Sequence, residues 1–149
     1  MKMGSQFEIV VGLSGLSRKT ARMINRVAET KRNLPNFFNA LVSSSSHLSV
    51  MASKSLADGN FDDLASIMSF HNSALSWFGL STQQIDKMVE TCLASGALAA
   101  KITGGGGGGA IVALPRQCKS EDIVNALKSK GFESFSVKIP QQGVKVWKE

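Results

Sequence analysis

The chain has 149 residues, of which 43% are hydrophobic and 19% charged, a composition that suits one domain with its own core and excludes a disordered chain. A net charge of +6 favours anionic partners: nucleotides, phosphorylated metabolites or nucleic acid. Two cysteines, Cys92 and Cys118, exclude a disulfide framework and point to a reducing cytoplasm. No apolar run reaches membrane-spanning length. Met1-Lys2-Met3-Gly4-Ser5-Gln6 lacks the apolar core of a signal peptide and reads as a flexible start or a cloning scar.

Phe7 to Leu13 is predicted as a buried strand that ends in a Gly/Ser turn. Ser17 is expected to cap a helix running to about Arg32, with Ala21, Ile24, Val27 and Ala28 on one face. The cations Arg18, Lys19, Arg22, Arg26, Lys31 and Arg32 crowd this stretch, most simply as a solvated helix face. Pro35 punctuates, and a second helix follows from Asn36 to about Asp58, although the four serines Ser43 to Ser46 lower its propensity. Asn60 caps a third helix carrying Phe61, Leu64, Ile67, Met68 and Leu75. Ser81 and Gln84 form a capping-box signature for a fourth, with Ile85, Met88, Val89, Cys92 and Leu93 as its stripe and Gly96 as its stop.

The period then shortens. Leu98 to Thr103 and Ala110 to Leu114 are expected strands. Ser120 caps a short helix with Ile123 and Leu127 inside, closed by Gly131. Ser134 to Ile139 and Gly143 to Trp147 read as a terminal hairpin across Pro140-Gln141-Gln142-Gly143. This order predicts an α+β domain, helices packed on one face of an antiparallel sheet.

Six consecutive glycines, Gly104, Gly105, Gly106, Gly107, Gly108 and Gly109, join the two middle strands. A linker between domains has polar Gly/Ser surroundings; these glycines have apolar ones. Glycine accepts positive φ and lets a backbone or a phosphate approach closely, and successive free N–H groups make an anion-binding concavity. Lys101 and Thr103 at the entrance offer a charge and a hydroxyl. There is no Gly-Lys-Ser/Thr and no following helix, so this is not a Walker A loop. A tight packing turn explains the glycines equally well. The turn Gly12-Leu13-Ser14-Gly15-Leu16-Ser17-Arg18-Lys19-Thr20 brings hydroxyls and cations to a helix N-terminus, which attracts anions, or is simply a capped helix with a basic surface.

His71 falls on or near the apolar stripe of the third helix, as a core or interface histidine rather than a ligand. His47 has no carboxylate or cysteine at metal spacing, so no metal held by protein ligands alone is expected. Cys92 belongs to the core stripe. No Ser/His/Asp or Cys/His set stands out.

Gly96-Ala97-Leu98-Ala99-Ala100-Lys101-Ile102-Thr103 leading into the glycines resembles the C-terminal glycine motif of the GHMP small-molecule kinases, Gly-Ala-x-Gly-Ala-Lys-(Leu/Ile)-(Thr/Ser)-Gly-(Ala/Gly)-Gly-x-Gly-Gly. Gly79-Leu80-Ser81 is similar to the Gly-Val-Ser of the mevalonate kinase branch. Leu16-Ser17-Arg18-Lys19-Thr20 resembles that branch's turn with a substrate-side Thr. Two departures stand out: His71-Asn72 replaces the usual Asn-His order, which puts a family role for that histidine in doubt, and Ala99 replaces a glycine.

The resemblance implies a ferredoxin-like C-terminal domain over residues 7–149, with a four-stranded antiparallel sheet. It implies that the serine-rich ATP loop and the catalytic Asp and Lys belong to an N-terminal kinase domain, on the same or a separate chain, so that no catalytic residue lies here and the isolated chain is inactive. ATP and Mg2+ are the implied cofactors of the complete enzyme, with none held by this chain alone. Mevalonate or a similar small hydroxy acid is the implied substrate, Lys101, Thr103 and Gly104 to Gly109 the phosphate side, and Arg18, Lys19 and Thr20 the substrate side. Another branch, such as phosphomevalonate or homoserine kinase, is the first alternative. The second is a basic RNA- or ligand-binding module. The absence of tyrosine and the placing of Phe37 and Phe61 on helix stripes weigh against base stacking. Neither a nucleic-acid nor a membrane partner is therefore expected; a homodimer is left open.

Overall fold

The computed structural model describes residues 7–17 and 20–139. Strand β1 (Phe7–Leu13) is followed by helices α1 (Thr20–Asn33), α2 (Pro35–Asp58), α3 (Phe61–Trp77) and α4 (Gln83–Ala94), then strands β2 (Ala97–Ile102) and β3 (Ala110–Pro115), helix α5 (Ser120–Ser129) and strand β4 (Glu133–Ile139). The four strands form one antiparallel sheet in the order β2-β3-β1-β4. The α+β class is the one that the element order predicts, and the four-stranded antiparallel sheet is the one that the resemblance implies. The expected strand at Gly143 to Trp147 lies outside the described residues, as do Arg18 and Lys19.

Local chemistry sets most boundaries. Pro35 opens α2, where its missing N–H costs nothing, and Leu34 before it is pushed out of the helical region, at φ −133°. The serines inside α2 do not break it: Ser46 and Ser49 donate to the carbonyls of Val42 and Ser45, at 3.1 and 2.8 Å, which satisfies each hydroxyl within the helix. Gly59 closes α2 in the left-handed region at φ +71°. The Asn60 side chain accepts from the Asp63 amide at 3.1 Å, capping α3 as predicted. The cap of α4 falls one residue later than predicted, on Thr82, whose hydroxyl accepts from the Ile85 amide at 3.3 Å. Ser120 does not cap α5. Lys119 stands at the cap, and the Ser120 hydroxyl instead donates to the Glu8 carboxylate on β1, tying the helix to the sheet.

Helices α4 and α5 cover one face. Ile85, Met88, Val89 and Cys92 of α4 and Ile123 and Leu127 of α5 pack on Val10, Ala100, Ile102, Ile111 and Ala113. Full burial of a side chain such as Ile85 or Ile111 contributes about 1.5–3 kcal/mol. The helices are not all on this face. Leu64 and Ala65 of α3 pack on Ala99 and Leu114, on the opposite side of β2 and β3. The sequence gives the reason: Ala99-Ala100 and Ala113-Leu114 are buried at consecutive positions, so this half of the sheet presents apolar side chains both ways and needs cover on both.

Candidate functional site

Three turns meet at one end of the sheet: residues 14–17 after β1, residues 78–82 before α4, and the glycine loop between β2 and β3. Backbone hydrogen bonds lace them together. The Ser14 amide donates to the Gly109 carbonyl at 2.7 Å, the Gly109 amide to the Leu16 carbonyl at 3.2 Å, and the Gly107 amide to the Leu80 carbonyl at 2.7 Å. From α1, Arg26 Nη1 donates to the Gly79 carbonyl at 2.5 Å, fixing the turn before α4 from the side.

The loop divides into an anchored base and an open tip. A Cβ on Gly106 would lie 2.4 Å from the Leu80 carbonyl oxygen, one on Gly107 2.8 Å from Met23 Cγ, and one on Gly108 3.0 Å from the Leu16 carbonyl oxygen, and all three residues have positive φ. Only glycine fits there. Gly105, by contrast, has nothing within 4 Å of its Cβ position. Gly104 and Gly105 are exposed, and their amides have no acceptor among the described residues. The packing explanation and the ligand explanation of the glycines therefore apply to different parts of one loop.

Thr20, the first residue of α1, shares a groove of about 340 Å3 with Gly105, its floor formed by Met23, Ile24 and Leu80 and its far end by Lys31. Residues from two separate stretches singled out in the sequence thus face one space. Thr103 closes the loop's mouth: its amide and its hydroxyl both donate to the Ala110 carbonyl, at 3.0 and 3.1 Å. Lys101 does not line the groove. Its Nζ donates to the Ile102 carbonyl at 2.7 Å, and its side chain lies beside His71 and Phe78 in a separate recess. Burial lowers its pKa below the usual lysine value.

Sequence reasoning did not find the contacts that hold the site. Arg26 was one of many cations, with nothing to mark it from its neighbours. Leu80 acts through its carbonyl, which no side-chain pattern reveals. Asn72 accepts from the Ile102 amide at 3.2 Å, satisfying a donor of β2, an edge strand. Among the described residues no group of three His, Cys, Asp or Glu is placed to hold a metal ion, and no helix is long and apolar enough to cross a membrane.

Residues 52–133, which span α3, α4, the glycine loop and α5, match the family model for the C-terminal domain of GHMP kinases. The chain belongs to this family. It is 29% identical over 146 residues to a mevalonate kinase of Thermococcus sibiricus, an alignment that covers 95% of this chain and 44% of that protein. A mevalonate kinase of Methanothermobacter thermautotrophicus is 32% identical over 120 residues, covering 80% of this chain and 39% of that protein. The crystal structure of the L. major mevalonate kinase in complex with R-mevalonate superposes with a TM-score of 0.81 at 28% identity, over 91% of this chain and 43% of that one. The chain thus spans less than half the length of these relatives.

Proposed function

We propose that this chain is the C-terminal domain of a cytoplasmic mevalonate kinase, which moves the γ-phosphoryl group of ATP to the hydroxyl of mevalonate in isoprenoid precursor synthesis. The observation that carries the reading is the open tip of the glycine loop: Gly104 and Gly105 are exposed with unclaimed amides, and Gly105 lines one groove with Thr20, within a family of phosphotransferases. The exposed amides of Gly104 and Gly105 fit an anionic phosphate, and the bare Cα of Gly105 lets it come close. When bound, ATP with Mg2+ supplies the transferred group. In this reading the metal's ligands and the catalytic Asp and Lys come from an N-terminal kinase domain, on the same or a separate chain.

Phosphoryl transfer depends on positioning and charge stabilisation. This chain's share is positioning. The base of the loop, pinned to Leu16 and Leu80, holds the tip at a fixed height over the groove. Thr20 presents its hydroxyl from the first turn of α1, beside the acceptor, and Arg18 and Lys19 precede it as the cations for a carboxylate substrate. The apolar floor of Met23, Ile24 and Leu80 gives the other domain a surface to close against and keeps water out of the groove.

The test is ATP-dependent mevalonate phosphorylation by this chain alone and by the chain joined to an N-terminal kinase domain. Activity only in the joined protein supports the reading. A joined protein that folds and binds Mg-ATP but does not phosphorylate mevalonate keeps a kinase and discards mevalonate as its acceptor.

A further inference from the structure

A second recess, of about 250 Å3, lies between α2, α3 and β2, lined by Ser45, His71, Ala74, Leu75, Phe78 and Lys101. A water molecule takes up about 30 Å3 in the liquid, so the space holds a small polyatomic ligand but not a nucleotide. Its polar equipment is unusual. His71 Nε2 is buried and makes no hydrogen bond of good geometry among the described residues, the imidazole's one main-chain neighbour that favours its protonated form being Ser45, whereas buried polar atoms nearly always have a well-formed partner. Lys101, half-buried, uses one of its three N–H donors on the Ile102 carbonyl. No carboxylate lines the recess.

These features select a ligand class. A metal cation is repelled by the Lys101 ammonium. An apolar guest leaves the His71 nitrogen unsatisfied. A neutral hydroxyl satisfies that nitrogen but leaves a half-buried positive charge without a counter-ion, which is costly in a low-dielectric site. A small oxyanion answers all of it, accepting from the ammonium and from a protonated imidazole at once.

We propose that this recess is a binding site for a small oxyanion, held between Lys101 Nζ and His71 Nε2. The site rests on the recess alone and is separate from the glycine-loop groove. Its electrostatics agree with the geometry. Burial lowers the His71 pKa first, the Lys101 charge lowers it further, and the Ser45 main chain raises it; Lys101 is the one charged group among the described residues that acts on His71. An anion between the two counters the Lys101 charge and favours the protonated imidazole against the effect of burial, so binding takes up a proton on His71 and strengthens as pH falls.

The chain has two histidines, and His47 is exposed, which makes it an internal control. The experiment follows both imidazoles by NMR while sodium sulfate, whose charge is constant from pH 5 to 8 by ordinary acid–base chemistry, is titrated into the whole chain, with acetate as the carboxylate arm. The expected result is a saturable shift of the His71 resonances alone and a rise in its pKa at saturation. The variant K101M, checked for folding by its amide spectrum, is expected to weaken sulfate binding at least tenfold. A response to acetate but not sulfate assigns the site to carboxylates, and the reverse to tetrahedral anions. Linear shifts shared by both histidines, or an unchanged His71 in both titrations of the wild-type chain, overturn the proposal. So does unaltered sulfate binding in folded K101M.

Discussion

The Gly107 amide donates to the Leu80 carbonyl at 2.7 Å, and the neighbouring Gly106 has its Cα so close to that same carbonyl that a methyl group there would sit 2.4 Å from the oxygen. One carbonyl therefore sets both the height of the glycine loop and the residue type it tolerates.

Gly106→Ala is expected to destabilise the domain by about 3 kcal/mol, combining left-handed backbone strain with a main-chain clash. That lowers the melting temperature by roughly 10 °C for a domain of this size. A thermal melt of the variant with an unshifted midpoint would show that the loop is not pinned to Leu80.

Gly105→Ala is expected to do the opposite. Its Cβ enters open space, so stability changes by no more than about 0.5 kcal/mol. In the joined kinase the same methyl group is expected to raise the KM for ATP several-fold. Thr20→Ala, equally harmless to the fold because Thr20 is exposed, is expected to raise the KM for mevalonate or lower kcat. Steady-state kinetics of the two variants separate phosphate side from acceptor side, and unchanged constants remove the residue concerned from the site.

Asn72→Leu removes the acceptor of the Ile102 amide and is expected to cost about 1–3 kcal/mol, with Asn72→Asp retaining most of the wild-type stability because a carboxylate also accepts. Hydrogen exchange at the Ile102 amide reads the bond directly. Equal protection in wild type and Asn72→Leu would assign that amide's protection to something other than Asn72.

The Ser120 hydroxyl holds the Glu8 carboxyl below the usual carboxylate range, against a smaller upward push from burial and with lesser help from Ser136 and Lys138. A carboxyl whose pKa is lower folded than unfolded contributes stability that is complete above its unfolded pKa and is lost as pH falls through the folded value. Ser120→Ala is therefore expected to raise the Glu8 pKa and shrink the loss of stability on acidification. Urea midpoints at neutral and acid pH measure this, and an identical acid-side loss in both proteins would remove Ser120 from the effect.

Cys92 is fully buried, and burial pushes its thiol up to about 12, whereas Cys118 is exposed. Because the thiolate is the reactive form, a disulfide reagent at neutral pH is expected to modify one thiol in the native chain and two in denaturant. Rapid native modification of both would place Cys92 outside the core.

The sequence made the helices and the sheet legible because their signals are local: Pro35, Asn60 and the Ile85–Cys92 stripe act within a few residues. It revealed the glycine loop as a site of close approach but did not say what approaches. The Leu80 carbonyl, the Arg26 guanidinium and the Asn72 amide reach their partners across the fold; the motifs around Leu80 and Asn72 are visible in the sequence, but the partners are not. Ser120 shows the same limit. Its sequence context fits a helix cap, whose oxygen would accept from a backbone N–H, yet β1 brings in the Glu8 carboxylate and the hydroxyl is turned to donate to it. Lys101 stands next to the loop in sequence, but strand alternation turns its side chain toward α3.

The strand order carries a consequence for how the domain comes into being. Strand β1, ahead of all the others in the chain, lies between β3 and β4, and Phe7 pairs with Ile139. Both of its edges wait for strands that follow α1 to α4 and β2 in the chain. Until β4 arrives, the nascent chain can build helices but not complete the sheet, so assembly depends on long-range closure, which is slow and exposes unpaired strand edges. During that interval Phe7-Glu8-Ile9-Val10-Val11 is a largely apolar run with unpaired strand edges, the kind of segment that aggregates.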